Sequence, residues 1–402
     1  MNPVELSRQP AIGNAEDSFK TLLDAVRRRV DGQLAAWLAP KVATASHVSA
    51  EVGAAAEAVQ GLALRGGKRM RAALVVAGFE VCSNETSNAG VSADDHIGAL
   101  LRSVDLAMVA IELLQVYLLV HDDWMDDDSV RRGGPAVHVV LRETLGSKRL
   151  GDAAAILAGD LACAYAQEAL LETPLAGDRV LAAARAFAQI QEDVVTGQLA
   201  EMSPIVEASG TSTVSSQQRR PAPRSCDPHD TGSPRSPSVE VIHALKTASY
   251  TVTGPLALGA HLAGASAARV AQLARYGRPL GIAFQLRDDL LGAFGDTNAT
   301  GKPVGNDIRQ GKRTALIAEM RGDAAAEALL ARVLGREDAS DADVAAVVRA
   351  METTGAKPRV EARVAELLAD ARAALVAMAL PERGLGRDWL EGALKALGER
   401  AT

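Results

Sequence analysis

Five carboxylates crowd into seven residues of the stretch His121-Asp122-Asp123-Trp124-Met125-Asp126-Asp127-Asp128. Such groups repel one another unless a cation sits between them. Hard divalent ions such as Mg²⁺ take oxygen ligands, commonly one or two carboxylates plus the phosphates of a bound molecule. The chemistry indicated is metal-assisted work on a phosphorylated compound. On a helix, Asp122 and Asp126 lie four apart and share a face. Taken alone, an acidic run is equally well a solvated helix end, so the rest of the chain must decide.

The rest of the chain supplies a second acidic tip and several cations. LGIAFQLRDDLLGAF, from Leu280 to Phe294, is an apolar helix carrying Asp288 and Asp289. Gly301-Lys302-Pro303, Asp307 and Lys312 follow it. Gly66-Gly67-Lys68-Arg69-Met70-Arg71 places bases on a turn and on the first turn of the next helix. A lysine there, with free helix-start amides, suits phosphate. Arg131-Arg132-Gly133-Gly134-Pro135 is another basic loop, close to the first acidic stretch, and arginine offers a planar fork to phosphate oxygens. Lys246 and Thr247 sit in the otherwise apolar IHALKTASYTVTG, where a buried lysine is costly unless it meets an anion. Two acidic helix ends, each followed by basic loops, describe two walls of one cleft.

Helices must position these groups. Leu106 to Val120 reads LAMVAIELLQVYLLV, broken only by Glu112 and Gln115, and forms a buried helix emerging at its C-terminal end into the cleft. Helical patterns also cover Ala15 to Leu38, stopping before Pro40, then Ala50 to Leu64, Ala72 to Cys82, 152 to 202, and amphipathic stretches from Ala324 onward. Hydrophobic residues make up 48% and aromatics only 3%, with Ala and Leu dominant, which favours an all-α fold. Residues 1–14 read as a flexible tail and 15–402 as a single domain. About 203–239, rich in Ser, Pro, Arg and Gly, reads as a disordered surface insertion, because the helical pattern resumes directly after it.

A net charge of −7 argues against nucleic acid as a partner. Cys82, Cys163 and Cys226 are few and far apart, as in a reducing compartment. The start MNPVELSRQPAIGN has no signal-peptide pattern, and no apolar run reaches bilayer-spanning length. The expectation is a cytoplasmic protein without stable membrane insertion.

With these residues in hand, the chain resembles the trans-isoprenyl diphosphate synthases, or polyprenyl synthetases, from about Ala15 to the C-terminus. GGKRMR at 66–71 is similar to the family's isopentenyl diphosphate motif. DDWMD at 122–126 with Arg131-Arg132-Gly133 is similar to its first aspartate-rich motif. Gly197-Gln198, Lys246-Thr247, FQLRDD at 284–289, Lys302, Asp307 and Lys312 complete the series in order. The resemblance implies a bundle of long helices around a central cavity, usually a homodimer. It implies that Asp122, Asp123, Asp126 and Asp288 hold or orient three Mg²⁺ ions on an allylic diphosphate. Arg131, Lys246 and Lys302 would contact that diphosphate, with Lys312 also on the substrate side. Lys68, Arg71, Arg132 and Gln115 would hold isopentenyl diphosphate. Lys246, Thr247 and Gln285 would lie near the cation formed, while His121 and His138 would be structural.

The chain departs from the family pattern in places. Gly292 stands where many members carry a third aspartate, with Asp296 one turn further on. Glu201 replaces Asp in the GQxxD-like stretch, Ala72 replaces a frequent proline, and the insertion has no counterpart. Tyr117, five residues before Asp122 and roughly 7.5 Å deeper along a helix, is expected to floor the pocket, with Leu118 above it. One aromatic there resembles geranylgeranyl diphosphate synthases; farnesyl diphosphate is the shorter alternative. The other readings are a class I terpene cyclase or head-to-head condensing enzyme, and a catalytically weak partner subunit.

Overall fold

A computed structural model describes residues 15–83, 93–202, 237–295, 305–381 and 384–398. The described chain is all-α apart from one tiny hairpin. In order come α1 (Ala15–Val48), α2 (Ala50–Leu64), α3 (Met70–Ser83) and α4 (Ala93–Met125). The hairpin strands β1 (Val130–Arg131) and β2 (Gly134–Pro135) precede α5 (Val137–Thr144), α6 (Lys148–Leu171) and α7 (Gly177–Met202). One long rod then runs through α8 (Val239–His243), a π-helical segment (Ala244–Thr253) and α9 (Gly254–Ala263). After it come α10 (Ala267–Phe294), α11 (Asn306–Arg309), α12 (Ala315–Glu319), α13 (Ala324–Val333), α14 (Asp341–Thr353), α15 (Ala356–Ala377) and α16 (Leu385–Gly398).

The central rod is α4. Ala107, Met108, Ala110, Ile111, Leu113, Leu114 and Val116 are fully enclosed, so apolar residues surround the helix instead of lining one stripe. Its main neighbour is α6; α3 and α9 pack beside it. The α3–α9 crossing is close because Gly78 and Gly259 meet the opposite backbone, where a Cβ would strike the Leu256 or Val75 carbonyl. A second, smaller core lies under α12 to α15 and includes Ile282, Leu316, Leu330, Val347 and Val360. The face of α10 that carries Ile282 and Leu286 closes it.

Two expectations need correction. The first helix does not stop at Pro40 but runs on to Val48. Proline removes one amide donor, yet Ala36, whose carbonyl loses that partner, is exposed to water. Leu34 and Leu38 before the proline and Ala45 after it are all buried, which keeps both halves docked. Second, among the described residues two helices are long and apolar enough to cross a membrane, Ile97–Met125 and Lys148–Leu171. A search for uninterrupted apolar runs misses them because isolated polar residues such as Glu112 and Gln115 punctuate α4. The first is mostly enclosed by the fold; the second is less than half covered. Ser238 caps a helix that starts at Val239, at the far edge of the stretch read as an insertion. Residues 203–236, including Cys226, lie outside the described residues, as do the 1–14 tail, Asp296 and Lys302.

Candidate active site

One cavity of about 570 Å³ opens between α4, α7, the π-helical segment and α10, a size usual for small-molecule sites. Asp122, near the end of α4, and Asp288 on α10 both line it. Lys246 and Thr247 from the π-helical segment join them, with Asp307 and Lys312 from the chain that follows α10. One turn back along the same two helices the lining becomes apolar and aromatic, with Tyr117, Leu118 and Phe284. The two acidic tips therefore do face one hollow.

Within the acidic end, carboxylates and cations are interleaved. Burial pushes the Asp122 carboxyl up; Lys246 opposes this and Asp126 adds to it. Lys246 Nζ lies 3.9 Å from Asp122 Oδ1 and also pairs with Glu201. Lys312 Nζ donates to Asp126 Oδ2 at 2.9 Å. Burial works against the Lys312 charge, but Asp126, Asp307 and Asp122 outweigh it and hold the ammonium above its usual range. Glu201 thus reaches a lysine.

Asp123 does not share this environment. Its side chain is fully buried beside Arg131, whose Nε donates to Oδ1 at 2.6 Å. Oδ2 has no partner. Arg131 lines the cavity and Asp123 does not, so Asp123 anchors the arginine. The β1–β2 hairpin places the pair: Arg132 and Gly133 take φ of 52° and 72°, the double left-handed turn of a two-residue hairpin loop.

Among the described residues, no three His, Cys, Asp or Glu side chains converge at metal-ligand spacing. The donor set nevertheless fits a hard cation. Asp122 and Asp126 offer oxygens one turn apart, Asp288 offers a third across the cavity, and lysines already neutralise the first two.

The other wall carries a polar chain. Thr247 Oγ1 donates to Gln285 Oε1 at 2.8 Å, and Gln285 Nε2 donates to Asp289 Oδ1 at 2.9 Å. Burial pushes Asp289 up to about 7, with the Gln285 bond opposing and Asp307 adding. Burial also brings His243 down to about 4. Its 3.6 Å approach to Asp289 is therefore a contact of a neutral imidazole, not an ion pair. At Gly292, where the third aspartate is missing, another carboxylate stands close. Asp307 Oδ2 lies 3.2 Å from where a Cβ at 292 would stand. His121 lines the cavity but is turned to the Ile156 carbonyl at 3.0 Å, and His138 is buried without a hydrogen-bond partner, its Nε2 lying 3.8 Å from Asp127 Oδ1.

The second basic set divides. Arg71 lines the cavity. Arg132 stands beside Gly67, donates to the Leu62 carbonyl at 3.3 Å, and is held down by burial first and by Arg69, Arg71 and Arg131 as well, against Glu112. Lys68 is exposed, and Gln115 is half-buried; neither lines the cavity. Residue types and spacing did not single out Arg69, which organises this set. It sits at φ 51°, with Nε on Asp31 at 2.9 Å, Nη1 on Glu112 at 2.7 Å and Nη2 on the Ala63 carbonyl at 2.7 Å. In the sequence Arg69 is indistinguishable from its basic neighbours. The available signal was Glu112, a lone acid in an apolar run that must have a buried cation.

The family profile described as Polyprenyl synthetase matches residues 54–351. A geranylgeranyl diphosphate synthase of Mycobacterium tuberculosis is 33% identical over 324 residues, 79% of this chain and 75% of that one. A (2E,6E)-farnesyl diphosphate synthase of the same organism is 32% identical over 300 residues, 72% of this chain and 68% of that one. Among solved structures, a geranylgeranyl pyrophosphate synthase from Corynebacterium glutamicum, complexed with isoprenyl diphosphate and magnesium, superposes with a TM-score of 0.76 at 30% identity. That superposition covers 94% of this chain and 99% of the other.

Proposed function

The chain belongs to the polyprenyl synthetase family, and from that premise we propose that it is a short-chain trans-prenyltransferase. It condenses isopentenyl diphosphate with an allylic diphosphate and elongates up to geranylgeranyl diphosphate. The observation that carries this reading is the single cavity that joins Asp122, Asp288, Lys246 and Lys312 at one end to an apolar lining one turn deeper.

Asp122, Asp126 and Asp288 would hold Mg²⁺, three ions in all. When bound, Mg²⁺ neutralises charge growing on the leaving diphosphate. Lys246 and Lys312 leave their carboxylate partners for diphosphate oxygens, and Arg131, fixed by Asp123, presents its remaining edge to the same group. The Thr247 hydroxyl is committed to Gln285, whose amide is committed to Asp289. That chain fixes polar oxygens beside the electron-poor allylic carbon. Tyr117, Leu118 and Phe284 exclude water from it. The isopentenyl double bond attacks this carbon, and the departing diphosphate takes the released proton, so no side-chain base is needed. Gly292 does not forbid activity, because Asp307 supplies a carboxylate beside that position.

Incubation with labelled isopentenyl diphosphate and each short allylic diphosphate tests the reading; label must enter an elongated diphosphate. A hydrocarbon made from farnesyl diphosphate alone would favour a cyclase. Absence of any product would favour a partner subunit.

The two M. tuberculosis relatives carry different product names at nearly equal identity, so chain length has to be argued from the pocket. Tyr117 stands edge-on to His121, ring centroids 4.8 Å apart, and lines the cavity. Tyr117→Ala is expected to shift the main product at least one five-carbon unit longer by chromatography. An unchanged product would remove Tyr117 as the floor.

We also assign residues 15–402 to one polyprenyl synthetase domain, working in the cytoplasm as a homodimer. Leu150, Leu157 and Leu171 recur at multiples of seven residues along α6 and are all more than half exposed, which marks an apolar stripe awaiting a partner. Light scattering should give twice the 41.8 kDa chain mass; a monomer would oppose this, and recovery with membranes would oppose the location.

A further inference from the structure

Arg71 reaches the cavity from the first turn of α3, and two residues hold its guanidinium there. Its Cζ lies 4.1 Å from the centroid of the Tyr250 ring. Its Nη2 donates to Thr251 Oγ1 at 3.0 Å. Tyr250 and Thr251 both line the cavity beside it. The Arg71 Nε is buried without a partner, an N–H that a bound anion would satisfy. Arg132, held on the Leu62 carbonyl at 3.3 Å beside Gly67, has its charge disfavoured by burial first and by that of Arg71 among others.

The clamp depends on how the π-helical segment is wound. The Gly254 backbone N–H donates to the Ser249 carbonyl, five residues back. Wider turns of this kind often occur at functional sites. They need space, and Gly281 gives it: a Cβ there would stand 2.5 Å from the Ala248 Cα. The result brings Lys246, Thr247, Tyr250 and Thr251 to one cavity. The first two belong to the acidic end already described. The last two have no place in that chemistry.

We propose that Tyr250 and Thr251 are positioning residues for the second substrate, clamping Arg71 so that its free edge meets the diphosphate of isopentenyl diphosphate. The inference rests on the functional reading above. A free arginine samples many rotamers and loses that freedom on binding; one held between a ring face and a hydroxyl has lost it beforehand. The clamp therefore acts on affinity for one substrate and not on the rate of the chemical step.

Calorimetric titration with isopentenyl diphosphate alone reads this without turnover. Tyr250→Leu is expected to weaken binding by about 5- to 10-fold, the size of a lost, partly desolvated cation–π contact. Tyr250→Phe keeps the ring face and should restore most of the affinity. Thr251→Val should cost about threefold, as for one lost hydrogen bond. In steady-state assays only KM for isopentenyl diphosphate should rise; kcat and KM for the allylic diphosphate should stay within about twofold. In an Arg71→Ala background, Tyr250→Leu should add nothing. Full affinity in Tyr250→Leu, equal loss for both substrates, or full additivity with Arg71→Ala would each overturn the clamp. If Tyr250→Leu does not fold, Thr251→Val carries the test, since it leaves the ring in place. Failure of the unaltered protein to bind isopentenyl diphosphate would instead sink the functional reading, and the clamp with it.

Discussion

Asp122→Asn is expected to lower kcat by about 10³-fold, the upper range for one electrostatic group aimed at developing charge. No single lysine or arginine replacement should match it. The carboxylate lines the cavity at the end of α4, four residues before Asp126 and opposite Asp288. Asparagine keeps the shape and one acceptor oxygen but not the charge. The fold should tolerate the change. Burial first, and Asp126 after Lys246, leave the Asp122 carboxyl above its ordinary range, so its ionised form is disfavoured in the folded protein. A neutral side chain at 122 therefore should not lower the melting temperature. Steady-state assays paired with thermal melts check both halves. Full activity would remove the metal assignment, and a large fall in melting temperature would mean that the loss of rate reports unfolding.

The largest expected effect on stability lies away from the reacting groups. Arg69→Met should cost about 3–5 kcal/mol, the usual penalty for removing one partner of a buried ion pair. Glu112 is 1% exposed, and its Oε1 already lacks a partner. Without Arg69 its other oxygen would lose its partner as well, inside α4. The backbone would also suffer. Arg69 is a non-glycine residue at φ 51°, a conformation that persists only where surrounding contacts enforce it. Those contacts are its own bonds to Asp31, Glu112 and the Ala63 carbonyl. Arg69→Met with Glu112→Leu should recover much of the loss, because a buried pair is often replaceable by apolar side chains. Chemical denaturation of the single and double variants reads the difference. An unchanged midpoint for Arg69→Met would show that Glu112 finds another cation, with Arg132, whose charge Glu112 already favours, the candidate.

Much of the architecture was legible because it is written in local patterns. α2 runs from Ala50 to Leu64 as its helical pattern indicates. Both acid-tipped helices form, and Asp122, Asp288, Lys246, Thr247, Gln285 and Lys312 meet in one cavity. What stayed hidden depends on contacts distant in sequence. Asp122 and Asp123 are adjacent acids, and nothing local says that one faces the cavity while the other is buried on Arg131. Pro40 reads as a stop, but long-range packing on both sides carries α1 past it. The widened turns of 244–253 leave no mark in apolar periodicity; they show only through glycines on neighbouring helices. Gly292 reads as a loss until Asp307, fifteen positions on, is seen beside it.

The central claim is that carboxylates on two facing helices grip one diphosphate through Mg²⁺. Calorimetric titration of farnesyl diphosphate, with and without Mg²⁺, tests it most directly in the unaltered protein, Asp122→Asn and Asp288→Asn. The account predicts strong binding only with Mg²⁺ present, weakened by about 10²-fold when the metal or either aspartate is removed. Equal affinity without Mg²⁺, or undiminished affinity in Asp288→Asn, would contradict it.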